Sequence, residues 1–142
     1  MSDQAFEFTK LPNLAGERFG SAVVAANDEF FAPKEGLIKA SPPEWREGLY
    51  NERGKWMDGW ETRRRRDFLP GEPGFDGAHD WCIVQLGVRG LIRGVDVETT
   101  HFTGNFPESC ALDACVAAGA ATAPGAYCSI NSGSCAPEAA SG

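Results

Sequence analysis

Apolar positions in this chain come in short runs, broken every few residues by Gly or Pro, and no dozen residues hold a helical period without one. Ser21–Ala26 contains the pair Val23-Val24, and Trp81–Leu86 reads Trp-Cys-Ile-Val-Gln-Leu. In Leu91–Thr99, Val95, Val97 and Thr99 fall on one side and Asp96 and Glu98 on the other. Period-two alternation between glycines predicts strands over all three runs. The link Gly87-Val88-Arg89-Gly90 predicts a tight connection between the second and third. A short helix is predicted at Pro43–Leu49, where a Pro is followed at once by an acid. These elements define an all-β chain, with a β-sandwich as its architecture.

The pattern stops near residue 114. Residues 115–142 hold 19 Ala, Gly, Ser or Pro among 28 positions, with Tyr127 as the one aromatic and Glu138 as the one charge. So little apolar mass does not offset the entropy of ordering a chain, which predicts a low-complexity, disordered tail after a domain at 14–114.

Composition narrows the function classes. The length fits one domain, and a 42% hydrophobic share supplies a modest core. No run of 18 apolar residues is present, so no membrane span is expected. The opening Met-Ser-Asp-Gln-Ala-Phe-Glu-Phe lacks the basic and apolar regions of a secretory signal. Five Cys, an odd number without CxxC spacing, predict reduced thiols in the cytoplasm, with Cys82 buried in its strand. Twenty acids against 13 Lys+Arg argue against nucleic acid as the main partner, despite the run Arg63–Arg66.

Four clusters carry residues capable of chemistry, each at the end of a predicted strand or in a loop. They are Asn27-Asp28-Glu29-Phe30-Phe31, Asp58-Gly59-Trp60-Glu61-Thr62-Arg63-Arg64, His79-Asp80 and Asp96–Pro107 with His101 and Asn105. Rigid sandwiches commonly carry binding sites on such loops. A planar guanidinium beside an indole and a carboxylate can hold a small anion in one orientation. Read alone, each cluster also fits a plainer role: a Phe pair plugging a core, a solvated basic edge, or a capped turn.

Four blocks, Ala26–Lys39 (ANDEFFAPKEGLIK), Arg53–Arg66 (RGKWMDGWETRRRR), His79–Gly87 (HDWCIVQLG) and Gly94–Pro107 (GVDVETTHFTGNFP), together resemble the allantoicase repeat. The resemblance implies a jelly-roll sandwich similar to galactose-binding modules. It also implies hydrolysis of allantoate to ureidoglycolate and urea in purine breakdown. Family members carry two repeats in tandem, so this chain is expected to hold one, the N-terminal repeat, over 14–114. The tail is expected to be the translation of a shifted frame in a GC-rich gene.

Allantoate is a small carboxylate whose central carbon bears two ureido groups. The resemblance and the residue types give a candidate set. Glu29, Glu61, His79 and His101 are the candidate acids and bases. Asp28, Asp58, Trp60, Arg63, Arg64, Asp80 and Asn105 are the candidate substrate contacts, with Arg63 or Arg64 gripping the carboxylate. No three-ligand metal spacing is visible. A divalent metal would need His79, Asp80 and His101 to meet in space. A lone repeat also raises the expectation of self-association into a homo-oligomer. The competing reading is a non-catalytic sandwich module that binds a small ureide or sugar-like ligand.

Overall fold

A computed structural model describes residues 3–63, 79–116 and 126–131 of the chain, with side chains over 7–63 and 79–116. Six strands are present: β1 (Ala22–Ala26), β2 (Tyr50–Asn51), β3 (Gly54–Lys55), β4 (Trp81–Gln85), β5 (Ala111–Val116) and β6 (Ala126–Asn131). The remaining regular turns are 3-10 helices at Asp3–Lys10, Glu17–Phe19 and Lys34–Ile38, and no α-helix occurs among the described residues. The fold is all-β.

Four strands make an antiparallel sheet in the order β1-β4-β6-β5, while β2 and β3 form a separate two-stranded ribbon. β4 lies inside the sheet because its sequence is apolar almost without interruption. Cys82 and Val84 are buried on one face of it, and Leu86 continues that face past its end. Val23 of β1 pairs with Val84, and Ala26 pairs with Cys82. The register slips between Val23 and Ala25, a bulge that leaves Val24 unpaired and exposed. The 3-10 helix Lys34–Ile38 packs on β1. Ile38 joins Val23, Cys82, Val84 and Leu86 in the core, with Leu14, Ala15, Ala26, Leu37 and Trp60 packed around it.

Gly87 shows how tightly β4 leaves the sheet. A Cβ at this position would stand 2.0 Å from the Phe19 carbonyl oxygen. The Gly87 N–H donates to Ser21 Oγ at 2.9 Å, and Ser21 Oγ donates to the Leu14 carbonyl at 2.7 Å. A buried hydroxyl therefore ties three chain segments together and is itself satisfied.

The first two predicted strands form, at β1 and β4. The third does not: Leu91–Thr99 belongs to no strand, and Leu91, Ile92, Val95 and Val97 are exposed. Alternation makes a strand only beside a hydrogen-bonding neighbour, and both edges of β4 are taken by β1 and β6. This stretch instead lies along the N-terminal 3-10 helix, so close that a Cβ at Gly94 would stand 2.7 Å from the Phe8 ring. The helix expected at Pro43–Leu49 is also absent. The Glu44 N–H donates to Asp58 Oδ2 at 2.6 Å, and the chain turns at Gly48 with φ of 69°. Beyond residue 114, where the tail is expected to begin, strand pairing continues. β5 runs to Val116, and β6 pairs with β4 on one side and β5 on the other, from Ala126 to Asn131. Cys110 and Cys115 are exposed free thiols, and Cys82 is buried.

Candidate functional site

The site gathers at one end of the β1–β4 pair. As β1 leaves the sheet it runs into Asn27–Ala32, and β4 begins just after Asp80. The segment at Glu61 meets Ala32 in an isolated antiparallel bridge. Ala32 N–H donates to the Glu61 carbonyl at 3.1 Å, and Glu61 N–H donates to the Ala32 carbonyl at 3.3 Å. Three segments far apart in sequence, near residues 28, 61 and 80, are thereby brought side by side.

Asp28 is the first hub. Its Oδ1 accepts the Phe30 N–H at 2.7 Å, its Oδ2 accepts Arg63 Nε at 2.9 Å, and its main-chain carbonyl accepts Trp60 Nε1 at 2.8 Å. The Arg63 guanidinium also lies 5.1 Å from the centre of the Phe30 ring. Burial alone would raise the Asp28 carboxyl. The Arg63 guanidinium and the Phe30 N–H more than offset it and hold the carboxyl below its ordinary value. Trp60 serves two ends: its ring packs on the core cluster while its N–H fixes the Asp28 loop.

Asp80 is the second hub. Asn27 Nδ2 donates to its Oδ1 at 2.7 Å, and Thr62 Oγ1 donates to its Oδ2 at 2.8 Å. Glu61 completes the group. It is partly buried, and that desolvation raises its carboxyl above the usual value, opposed by a hydrogen bond from Asn105 Nδ2 at 3.3 Å. The Asp28 carboxylate, held ionised beside Arg63, and the Glu61 carboxyl, pushed toward neutrality, thus belong to segments that meet at the bridge between Ala32 and Glu61. Pairs of acids with divergent environments are the usual way a protein obtains both an acid and an anionic contact at one pH.

The other predicted residues are placed differently. The Glu29 carboxylate accepts the Lys34 main-chain N–H at 2.9 Å and its ammonium at 3.4 Å, so it anchors the start of the 3-10 helix at Lys34–Ile38. Asp58 pairs with the Lys39 ammonium and accepts the Glu44 and Gly59 N–H groups at 2.6 and 3.0 Å. Burial would raise the Asp58 carboxyl, but the Lys39 ammonium and the Glu44 N–H hold it below its ordinary value. The His101 ring sits 5.6 Å from Trp45, whose ring also meets the Lys55 ammonium at 4.3 Å. No hydrogen bond joins His101 to Glu61 or Asp80 among the described residues. His79 directly precedes Asp80 at the head of β4. Arg64 lies outside the described residues. Among the described residues, no group of three or more His, Cys, Asp or Glu is arranged to hold a metal ion, and His79, Asp80 and His101 do not form such a set.

Two residues of the site carry no chemical signal in sequence. Asn27 and Thr62 are neutral and ordinary; the pairing of β1 with β4 brings Asn27 to Asp80, and the bridge between Ala32 and Glu61 brings Thr62 there.

The sheet and its loop cluster define a β-domain that presents carboxylates and a guanidinium from three chain segments, near residues 28, 61 and 80. The family model of the allantoicase repeat matches residues 12–133, past the boundary expected at 114. The chain is 44% identical over 113 residues to a probable allantoicase of Photobacterium profundum, covering 80% of this chain and 32% of that protein. It is 45% identical over 118 residues to a probable allantoicase of Pseudomonas aeruginosa, covering 83% of this chain and 33% of that one. Its backbone is similar to the crystal structure of allantoicase from Saccharomyces cerevisiae, with a TM-score of 0.54 at 22% identity, over 84% of this chain and 38% of that one. The chain belongs to the allantoicase family. It spans about a third of the length of these bacterial relatives.

Proposed function

We propose that this chain is part of a hydrolase that cleaves allantoate to ureidoglycolate and urea. The observation that carries the reading is the convergence of Arg63, Glu61, Asn105 and Asp80 on one loop cluster of a chain in the allantoicase family. The Arg63 guanidinium, oriented by Asp28 and seated against Phe30, suits the substrate carboxylate. Asp80 and Asn105 suit the N–H and carbonyl groups of the ureido arms. Glu61, pushed toward its neutral form by burial, suits the general acid. In the reaction the bond between the central carbon and one ureido nitrogen breaks. Glu61 delivers its proton to that nitrogen, urea departs, and water supplies the hydroxyl of ureidoglycolate. The Glu61 carboxylate then accepts the proton released by that water. The overall sandwich, with its similarity to galactose-binding modules, and assembly with a further repeat or a second copy belong to the same proposal.

The test is urea release from allantoate by the purified protein, with and without added divalent metal. Release that falls in Glu61→Gln supports the reading. Allantoate binding without urea release under either condition favours a ureide-binding module. Absence of both binding and release overturns the proposal for this chain.

A further inference from the structure

The Asp80 carboxylate is held at both oxygens by side chains of different segments. Asn27 Nδ2 donates to Oδ1 at 2.7 Å, and Thr62 Oγ1 donates to Oδ2 at 2.8 Å. Asn27 is itself fixed. Its Oδ1 accepts the Trp81 N–H at 2.8 Å, and its main-chain N–H donates to the Trp81 carbonyl at 3.1 Å. The amide orientation is therefore unambiguous: its oxygen faces a donor and its nitrogen faces a carboxylate. These contacts continue the β1–β4 ladder one step beyond its last pair, Ala26 with Cys82. The rigidity of the central strand pair is passed directly to a carboxylate at the site. Thr62 brings the same constraint from the segment that carries Glu61 and Arg63.

We infer that Asn27 and Thr62 are positioning residues that fix the Asp80 carboxylate in the orientation that receives an N–H donor of the ligand, an inference that rests on the allantoate reading above. Asp80 is a strong acceptor with several lone-pair directions. Two neutral donors on opposite oxygens set its plane and lower the entropy lost when a ligand binds. A carboxylate that turned freely would meet the same ligand at lower affinity, with the fold intact.

The experiment uses the full chain and five variants. Asn27→Ala removes one donor, and Asn27→Asp places an acceptor against Asp80 Oδ1. Thr62→Val keeps the shape without the hydroxyl, Thr62→Ser keeps the hydroxyl, and Asp80→Ala removes the carboxylate. Allantoate affinity by calorimetry should fall about tenfold in Asn27→Ala and in Thr62→Val, more in Asn27→Asp, and stay within about twofold in Thr62→Ser. A role confined to folding would not single out the hydroxyl in this way. A second readout needs no ligand. The Asn27 side-chain amide resonances in nitrogen–proton spectra should be dispersed and slow to exchange in the parent, and should lose both properties in Asp80→Ala. Weaker binding in Asp80→Ala with unchanged binding in Asn27→Ala and Thr62→Val overturns the positioning role and leaves the substrate reading standing. If the parent takes no allantoate, the substrate reading fails and the spectra decide the clamp. Asn27 resonances indifferent to Asp80→Ala overturn it, and resonances that respond support it.

Discussion

Arg63 donates its Nε–H to Asp28 Oδ2 at 2.9 Å, across 35 positions of sequence. This pair joins the loop after β1 to the segment after β3 and orients the guanidinium over Phe30. Exposed ion pairs contribute about 0–1 kcal/mol to stability, and Arg63 is 63% exposed on its side chain, so the pair's importance is geometric.

Arg63→Lys tests that geometry. Lysine keeps the charge and loses the planar fork. Allantoate affinity should fall about ten- to a hundredfold, the equivalent of about 1.5–3 kcal/mol for one charge-assisted contact. Thermal stability should barely change. Calorimetric affinity within about twofold of the parent would remove Arg63 from the site.

Glu61 gives a pH signature. Its carboxyl is raised above the usual 4.5 by burial, so the folded state favours the protonated form. Its contribution to stability is therefore present below that value and is lost as pH rises through the folded pKa. Glu61→Gln removes this loss. The difference in melting temperature between Glu61→Gln and the parent should be small in acid and should grow in favour of the variant above pH 4.5 before levelling off. A difference that is flat with pH would contradict the assignment.

Asp58 runs the opposite way. The Lys39 ammonium and the Glu44 N–H hold it below the usual 3.8, so its stabilisation is present above that value and is lost as pH falls through its folded pKa. Its side chain is only 8% exposed. Lys39→Met should destabilise the fold near neutral pH by about 1–3 kcal/mol, because the carboxylate loses its charged partner. In denaturant titrations that penalty should shrink below pH 3.8, where the carboxyl takes up a proton instead.

Gly87→Ala should be among the more damaging single-atom additions in the chain. The new Cβ would stand 2.0 Å from the Phe19 carbonyl and 2.5 Å from the Gly20 carbonyl carbon, both main-chain atoms. Main chain yields less readily than a side chain, so the loss should reach at least the roughly 1–3 kcal/mol typical of overpacking. Urea unfolding midpoints of parent and variant measure it.

Thiol reactivity checks the core directly. Cys82 is fully buried, whereas Cys110 and Cys115 are exposed. A thiol reagent should modify Cys110 and Cys115 quickly and reach Cys82 only at the rate of unfolding. Mass mapping after a short exposure separates the three.

Sequence by itself determined the β class, the strands at β1 and β4 and the burial of Cys82. Each depends on local pattern: short apolar runs, period two and glycine boundaries. It also marked candidates, Asp28, Glu61, Arg63, Asp80 and Asn105 together with Glu29, Asp58, Trp60, Arg64, His79 and His101, because charged and amide side chains beside aromatics in loops are visible residue by residue. Tertiary structure decided the rest. Leu91–Thr99 alternates as well as any strand here, yet forms none, since β1 and β6 already occupy the edges of β4. Ala126–Asn131 looks like low-complexity tail, yet pairs between β4 and β5, because main-chain hydrogen bonds are indifferent to side-chain mass. Glu29 and Asp58 carry the same carboxylate as Glu61 and Asp80. Proximity to Lys34 and Lys39, which local pattern does not encode, gives them structural partners. Asn27 and Thr62 became part of the site only when strand pairing set them against Asp80. Hydrophobic pattern acts over a few residues, whereas the partner of a polar side chain is chosen by which segments the whole fold brings within about 3 Å of it.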